Sequence, residues 1–348
     1  MIIIKVHKEW DDMKWTSGIK TASLLVLGVV LIIIISVLSV AYGTKPMSFG
    51  TVLNAIFHAD PENIDHVIVR TSRIPRTAGA LLIGAFLAVS GALMQGMTRN
   101  YLASPSIMGI SDGSVFAVTL CMVFLPGASS MTMIVYSLAG SALGAFLVFG
   151  TAKLLPGGVS PLTLAVLGTI IGTFLGGVSQ ALAVYFQVSQ DISFWYNARL
   201  HMMDPAVIRL ALPFAAVGLV LALLMARPVT MLSLGDETAA GLGLKVGTIK
   251  MLTMLSVVLL TGISVAIAGK IAFIGLIIPH IVRFLVGQDY RRIIPCTVFA
   301  GAIFLALSDL ISRYINFPFE TPVGVVTALF GVPFFLYLIK TRGGGHHS

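Results

Sequence analysis

Ten stretches of this chain are each close to 20 residues long and nearly free of charge. That is the length an α-helix needs to cross the hydrocarbon of a bilayer at about 1.5 Å per residue. They fall at about 20–42, 74–97, 107–126, 131–154, 161–187, 206–226, 248–268, 271–287, 294–313 and 321–340. The expected fold class is therefore an all-α polytopic membrane protein with about ten transmembrane helices. Composition agrees: 57% of residues are hydrophobic and 10% charged, where a soluble protein carries roughly 25% charged residues. The eighth stretch is short and follows closely on the seventh, so one of the two is expected to be tilted or partly re-entrant.

This divides the chain into an N-terminal tail (1–19), a transmembrane domain (20–340) and a C-terminal tail (341–348). An even number of spans puts both termini on one side. With the termini in the cytoplasm, 14 of the 22 Lys and Arg residues face inward and 8 outward, as the positive-inside rule requires. The outer set is Lys45, Arg70, Arg73, Arg76, Arg199, Arg209, Lys270 and Arg313. Two of these, Arg73 and Arg76, stand just before a long apolar run in TSRIPRTAGALLIG (71–84). Small residues four apart, as in Gly140–Gly144 and Gly168–Gly172–Gly176, give smooth helix faces for close packing in lipid.

Several function classes are excluded. The +8 net charge reflects inner loops rather than a nucleic-acid patch. Cys121 and Cys296 sit in apolar segments and suggest neither a disulfide framework nor a metal site. There is no GxxxxGK[ST] phosphate loop and no HExxH motif. Ionisable groups within the spans are sparse (Asp309, His280 and Arg283), where an ion-coupled carrier usually places acids or histidines. Any fuel must then come from a partner.

One inner segment, RPVTMLSLGDETAAGLGLKVGTIK (227–250), has the marks of a short cytoplasmic helix. Ser233 reads as its N-cap, Asp236 and Glu237 as first-turn acids, and Gly241 and Gly243 as its stop. About two turns over 232–244 would present Leu232, Leu234, Ala239, Ala240 and Leu242. Such a knob fits a groove on a partner protein; the competing reading is an interfacial helix resting on lipid.

Four ordered motifs carry a family resemblance: RIPRTAGALLIGAFLAVSGALMQGMTRNYLASPSIMGISDG (73–113), LSLGDETAAGLGL (232–244), GKIAFIGLIIPHIVRFLVG (269–287) and PVGVVTALFGVPFFLYLIK (322–340). Together they resemble the permease subunits of type II ABC importers for ferric siderophores, haem and cobalamin. RNYLASPSIMG and QDISFWYNARLH look most similar to permeases for tricatecholate, bacillibactin-type siderophores. Haem or cobalamin import within the same family stands as the alternative, and an ion-coupled carrier as the alternative from another class.

The resemblance implies a multi-pass protein of the cytoplasmic membrane with both termini inside. It implies a second permease subunit, the same chain or a related one, two ATPase subunits below, and an extracytoplasmic siderophore-binding lipoprotein above. ATP and Mg belong to the ATPase, and no cofactor or metal is implied for this chain. Acidic residues of the binding protein would pair with Arg73, Arg76 and Arg313; guanidinium suits this because it stays charged and grips carboxylates bidentately. The competing reading has these arginines anchoring helix ends at headgroups. The coupling helix would contain Ser233, Leu234, Gly235, Asp236, Glu237, Ala240 and Gly243. A cytoplasmic gate would use Asn100, Leu102, Ser160 and Pro161; Tyr101 departs from the proline usual there, which affects the shape of that loop. His280 and Arg283 would support nearby loops. The aromatics Phe194, Trp195 and Tyr196 of the outer segment 187–209 are expected to anchor it at headgroups.

Overall fold

In a computed structural model, the structure describes residues 2–343 apart from 44, 46, 156–159, 198–199, 201–202 and 318. Arg199, His201, Met202 and the closing segment 344–348 lie outside the described residues. Apart from one isolated bridge between Asn316 and Phe319, the described structure is helical.

Helix α1 (Ile2–Ala41) runs without a break through the expected N-terminal tail into the first span, Gly18–Ala41. Two short helices follow, α2 (Phe49–Phe57) and α3 (Ile64–Ile68). Their N-caps are Ser48, whose Oγ accepts from the Thr51 amide at 3.1 Å, and Asn63, which accepts from the Asp65 amide at 3.0 Å. A single π-helical turn, Val69–Arg73, joins α3 to α4 (Ile74–Thr98), giving a continuous helical segment, 64–98. Pro75 at the start of α4 costs no hydrogen bond there. Next come α5 (Ile110–Phe124), α6 (Ser130–Leu154), α7 (Pro161–Tyr185) and α8 (Ser189–Asn197). The chain continues with α9 (Pro205–Leu232), α10 (Asp236–Gly241) and α11 (Val246–Ala268). It ends with α12 (Ile274–Val286), α13 (Tyr290–Ser312) and α14 (Val323–Gly343).

Among the described residues, seven helical segments are long and apolar enough to cross a membrane, and three shorter apolar ones, in α5, α12 and α14 (Val323–Leu338), complete the expected ten. The eighth stretch is short because α12 starts only at Ile274, after Phe273 adopts a left-handed turn (φ 70°). The third, expected from 107, starts at Ile110 after Gly109 (φ 71°). At the cytoplasmic end expected for α9, the helix runs on to Leu232, six residues past its predicted limit.

Helix α4 lies at the centre and is buried along nearly its whole length. Close backbone approach at glycine makes this possible. A methyl group at Gly91 would collide with the Gly275 carbonyl on α12, and one at Gly84 with the Gly301 carbonyl on α13. A second set of such contacts joins α5, α6 and α7: Gly113 against Gly140, Gly109 against Gly144, and Gly168 against the Ile107 carbonyl. The outward faces of α6, α7, α9 and α14 carry exposed Phe146, Phe174, Leu224 and Leu329, as helices bathed in lipid should.

Candidate functional site

Chemistry-bearing residues gather at both ends of the bundle. At the end expected to face outward, the π turn places Arg73 beside the end of α1. Its guanidinium donates to the Val40 and Ala41 carbonyls at 2.8 and 2.9 Å, and to the Lys45 carbonyl. One turn on, Arg76 reaches across to α13. Its Nε donates to both carboxylate oxygens of Asp309 at 3.0 and 3.1 Å, and Nη1 donates to Glu320 at 2.7 Å. Arg313, one turn after Asp309, donates to that carboxylate, to the Ser39 and Tyr42 carbonyls at 2.7 and 2.8 Å, and to Ser39 Oγ at 2.9 Å.

Arg76 and Arg313 thus share Asp309, whose residue exposure is 0%, and Arg73 is buried beside Arg313 on the carbonyls at the end of α1. Three cations against Asp309 and Glu320 leave a net charge of +1. Glu320 is the most accessible member, with 27% of its side chain exposed. Its role has no local sequence signal, since it lies 244 positions from Arg76. Exposed cations surround the cluster: Arg70, and Lys45, which is 65% exposed and pairs with Asp65 at 2.6 Å.

At the opposite end, α10 has only six residues. Ser233 is not its N-cap, contrary to expectation. Because α9 runs on to Leu232, Ser233 caps that helix's C-terminus and donates to the Thr230 carbonyl at 2.6 Å. The N-cap position of α10 falls to Gly235, at φ 126°, a backbone that side-chain-bearing residues rarely adopt. Gly241 lies inside the helix, and the stop belongs to Gly243 (φ 84°). The expected apolar surface also divides: Leu232 and Ala239 are fully buried, while Leu234, Glu237, Ala240 and Leu242 point outward. Asp236 pairs with Lys250 of α11 at 2.5 Å, which fixes the peg to the bundle.

The predicted gate residues cap and turn the chain. Asn100 accepts from the Leu102 amide at 2.9 Å, closing an Asx turn just after Arg99 leaves α4 in a left-handed conformation. Ser160 caps α7 by accepting from the Thr163 amide at 3.1 Å, with Pro161 in the first turn. Arg283, 5% exposed, donates to Gln95 Oε1 at 2.9 Å and to the Tyr290 hydroxyl at 3.3 Å. Its guanidinium carbon lies 4.4 Å from the Tyr101 ring centroid in the gate loop. Gln95 in turn donates to the Gly275 carbonyl at 3.2 Å, linking α4 to α12. His280 packs edge-on against Phe334 of α14, with 5.6 Å between ring centroids.

Two features depart from the sequence reading. Lys270, expected at the outer surface, reaches Asp112 at the start of α5 at 2.5 Å. The pair lies beside Gly168 and Gly172, in the middle of α7, next to a cavity of about 300 Å³. An acid at this depth is held by an opposite charge, the usual condition for an ionisable group within a membrane. Only the chain reversal between α11 and α12 brings the two together. Trp195 does not anchor at headgroups: it is 7% exposed and packs with Val115, Val118 and Val265, while its carbonyl accepts from the Lys270 amide at 2.7 Å.

Comparison with known proteins agrees with this architecture. A solved structure described as an inward-facing conformation of a metal-chelate type ABC transporter superposes with a TM-score of 0.76 at 29% identity, covering 92% of this chain and 99% of that one. The iron-uptake system permease protein FeuB of Bacillus subtilis (strain 168) is 60% identical over 307 residues, 88% of this chain and 92% of FeuB. The ferric enterobactin transport system permease protein FepD of Escherichia coli (strain K12) is 35% identical over 328 residues, 93% of this chain and 98% of FepD. The FecCD transport family profile matches residues 31–341, and the chain belongs to that family.

Proposed function

We propose that this chain is the membrane permease subunit of an ATP-driven importer that brings a ferric siderophore of the catecholate type into the cell. Family membership with relatives named for iron uptake and ferric enterobactin transport carries this reading. The chain has no phosphate loop of its own. Its ATPase partners, two copies, would engage the exposed α10 peg through Leu234, Ala240 and Leu242, with Gly235 and Gly243 shaping its ends and Asp236 tying it to the bundle. A second permease, the same chain or a homologue, would complete the passage. Both termini would lie in the cytoplasm.

A siderophore-binding lipoprotein would dock at the opposite end through acidic side chains. Arg73, Arg76 and Arg313 already hold carboxylates and carbonyls of this chain. Their part in docking would be to hold a net positive charge at the surface, with Glu320 as the carboxylate an incoming acid can displace. Such charges act more on association rate and register than on affinity. The gate loops would be those of Asn100, Leu102, Ser160 and Pro161, with Arg283 and His280 as their supports. This chain would bind no metal or cofactor, because the siderophore already wraps the iron.

One observation favours a carrier that works alone on an ion gradient: the Asp112–Lys270 pair deep in the bundle. A closed ion pair is, however, equally the way a membrane bundle holds a buried acid in place as a structural tie. Reconstitution decides between the readings. Proteoliposomes containing permease, ATPase and binding protein are expected to take up ferric catecholate only with ATP. Uptake driven by a proton or sodium gradient without the ATPase would overturn the proposal.

A further inference from the structure

We propose that a groove between α6 and α11 binds one anionic phospholipid of the leaflet nearest α10, with its phosphate at Arg99 and Lys153 and an acyl chain between the helices. The groove encloses about 520 Å³. On α6, Ala142, Ala145, Phe146, Phe149 and Lys153 line it, recurring at helical spacing along one stripe. On α11 the lining is Met251, Met254, Leu255 and Val258, with Lys250 at the mouth.

Because the two helices run antiparallel, Lys153 near the end of α6 and Lys250 near the start of α11 come to the same end. The result has the shape of an amphiphile: charged at one end and apolar for about 12–16 Å beyond, taking the rise per residue from Lys250 to Val258 and from Lys153 to Ala142. It opens sideways, with Phe146 73% and Met251 65% exposed. Within hydrocarbon, an open apolar slot of this kind is filled by an acyl chain.

The mouth selects the headgroup. Lys250 is neutralised by Asp236. Arg99 and Lys153 are both exposed and make no ion pair among the described residues. Three cations against one carboxylate leave +2 for a phosphate. Basic pockets of this kind at the membrane face are where anionic headgroups bind. The guanidinium of Arg99 lies beside Gly235, 3.6 Å from the position a Cβ would take there. A lipid held here therefore touches the base of the α10 peg. That the leaflet is the cytoplasmic one rests on the orientation proposed above; the headgroup chemistry does not.

The test is native mass spectrometry of the full-length permease, equilibrated in mild detergent with equal amounts of phosphatidylglycerol and phosphatidylcholine. Wild type is expected to retain phosphatidylglycerol about tenfold over phosphatidylcholine, from two unpaired cations near the headgroup. The double variant Arg99→Gln/Lys153→Gln is expected to lose that preference while keeping its thermal unfolding temperature. Ala142→Phe, which fills the exposed part of the groove and leaves the charges, is expected to reduce retention of either lipid. Equal retention of both lipids by wild type would overturn the proposal. So would an unchanged preference in the double variant, or loss of the lipid when the ATPase binds, which would make the groove part of a protein interface. No readout involves uptake, so failure here leaves the importer reading untouched.

Discussion

Arg76 shows what a single residue's surroundings change. From the sequence it is a bare cation at the expected outer end of a span, read as a grip for a partner's carboxylate with a headgroup anchor as the competing reading. In the fold it bridges two acids of its own chain, one of them fully buried. Removing Arg76 takes one of the two guanidiniums from that buried carboxylate, which keeps Arg313, and the lost charged hydrogen bonds cost about 1.5–3 kcal/mol. Arg76→Ala is therefore expected to lower the thermal unfolding temperature sharply in detergent, whatever its effect on docking. Glu320→Gln leaves Asp309 paired and should destabilise much less, while raising the local charge from +1 to +2. Its association with an acidic binding protein, followed by surface plasmon resonance, is expected to be faster at low salt and to converge on wild type at high salt. RIPR drew attention to Arg73 and Arg76 because basic residues are rare at the end expected to face outward. Glu320 and the Asp112–Lys270 pair carried no such signal, because only tertiary structure brings them to their partners.

Apolar length showed where helices lie, but their ends depended on caps that compete. Ser233 and Gly235 could each begin α10. In the structure α9 continues through Pro228 to Leu232 and takes Ser233 as its own C-cap, so α10 starts only after Gly235. The exposed Leu234, in the link between them, is the residue most available to a partner. Leu234→Asp is expected to leave the permease folded and to reduce ATP-driven uptake while ATP hydrolysis continues, measured on the same proteoliposomes; tight coupling in this variant would remove the peg from the mechanism.

Helix α13 offers a second test. Asp289 caps it, accepting from the Arg291 amide at 3.0 Å. Burial alone would raise its carboxyl pKa, but hydrogen bonds from Arg291 and Thr230 hold it below the usual aspartate range. A lowered folded pKa means the stabilisation is fully present above the unfolded value, about 3.9, and is lost as the pH falls through the folded value. Asp289→Ala should cost about 0.5–2 kcal/mol at neutral pH, and the gap from wild type should close as the pH drops below about 4.

For the molecule as a whole, glycine spacing in the sequence pointed to close helix packing, which the structure shows within the subunit where Gly140 and Gly144 meet Gly113 and Gly109. It did not reveal which helix each glycine would meet; Gly91 against Gly275 is a contact across 184 positions that no local pattern announces. Gly91→Val is expected to be among the most damaging single changes, because the carbonyl it would strike belongs to backbone and cannot swing away. Loss of monodisperse protein on size-exclusion chromatography is the readout, with Gly177→Val, where no atom lies within 4 Å, as the tolerated control.

The glycine contacts also limit how a permease of this build can move. Helix α4 meets α12 and α13 backbone to backbone at Gly91–Gly275 and Gly84–Gly301, and α5 with its lead-in meets α6 and α7 at Gly113–Gly140 and Ile107–Gly168, so sliding within either set would drive backbone into backbone. Between the two sets, the Asp112–Lys270 clasp runs from the foot of α5 to the bend leading into α12, so any shift of one set against the other would have to stretch that clasp.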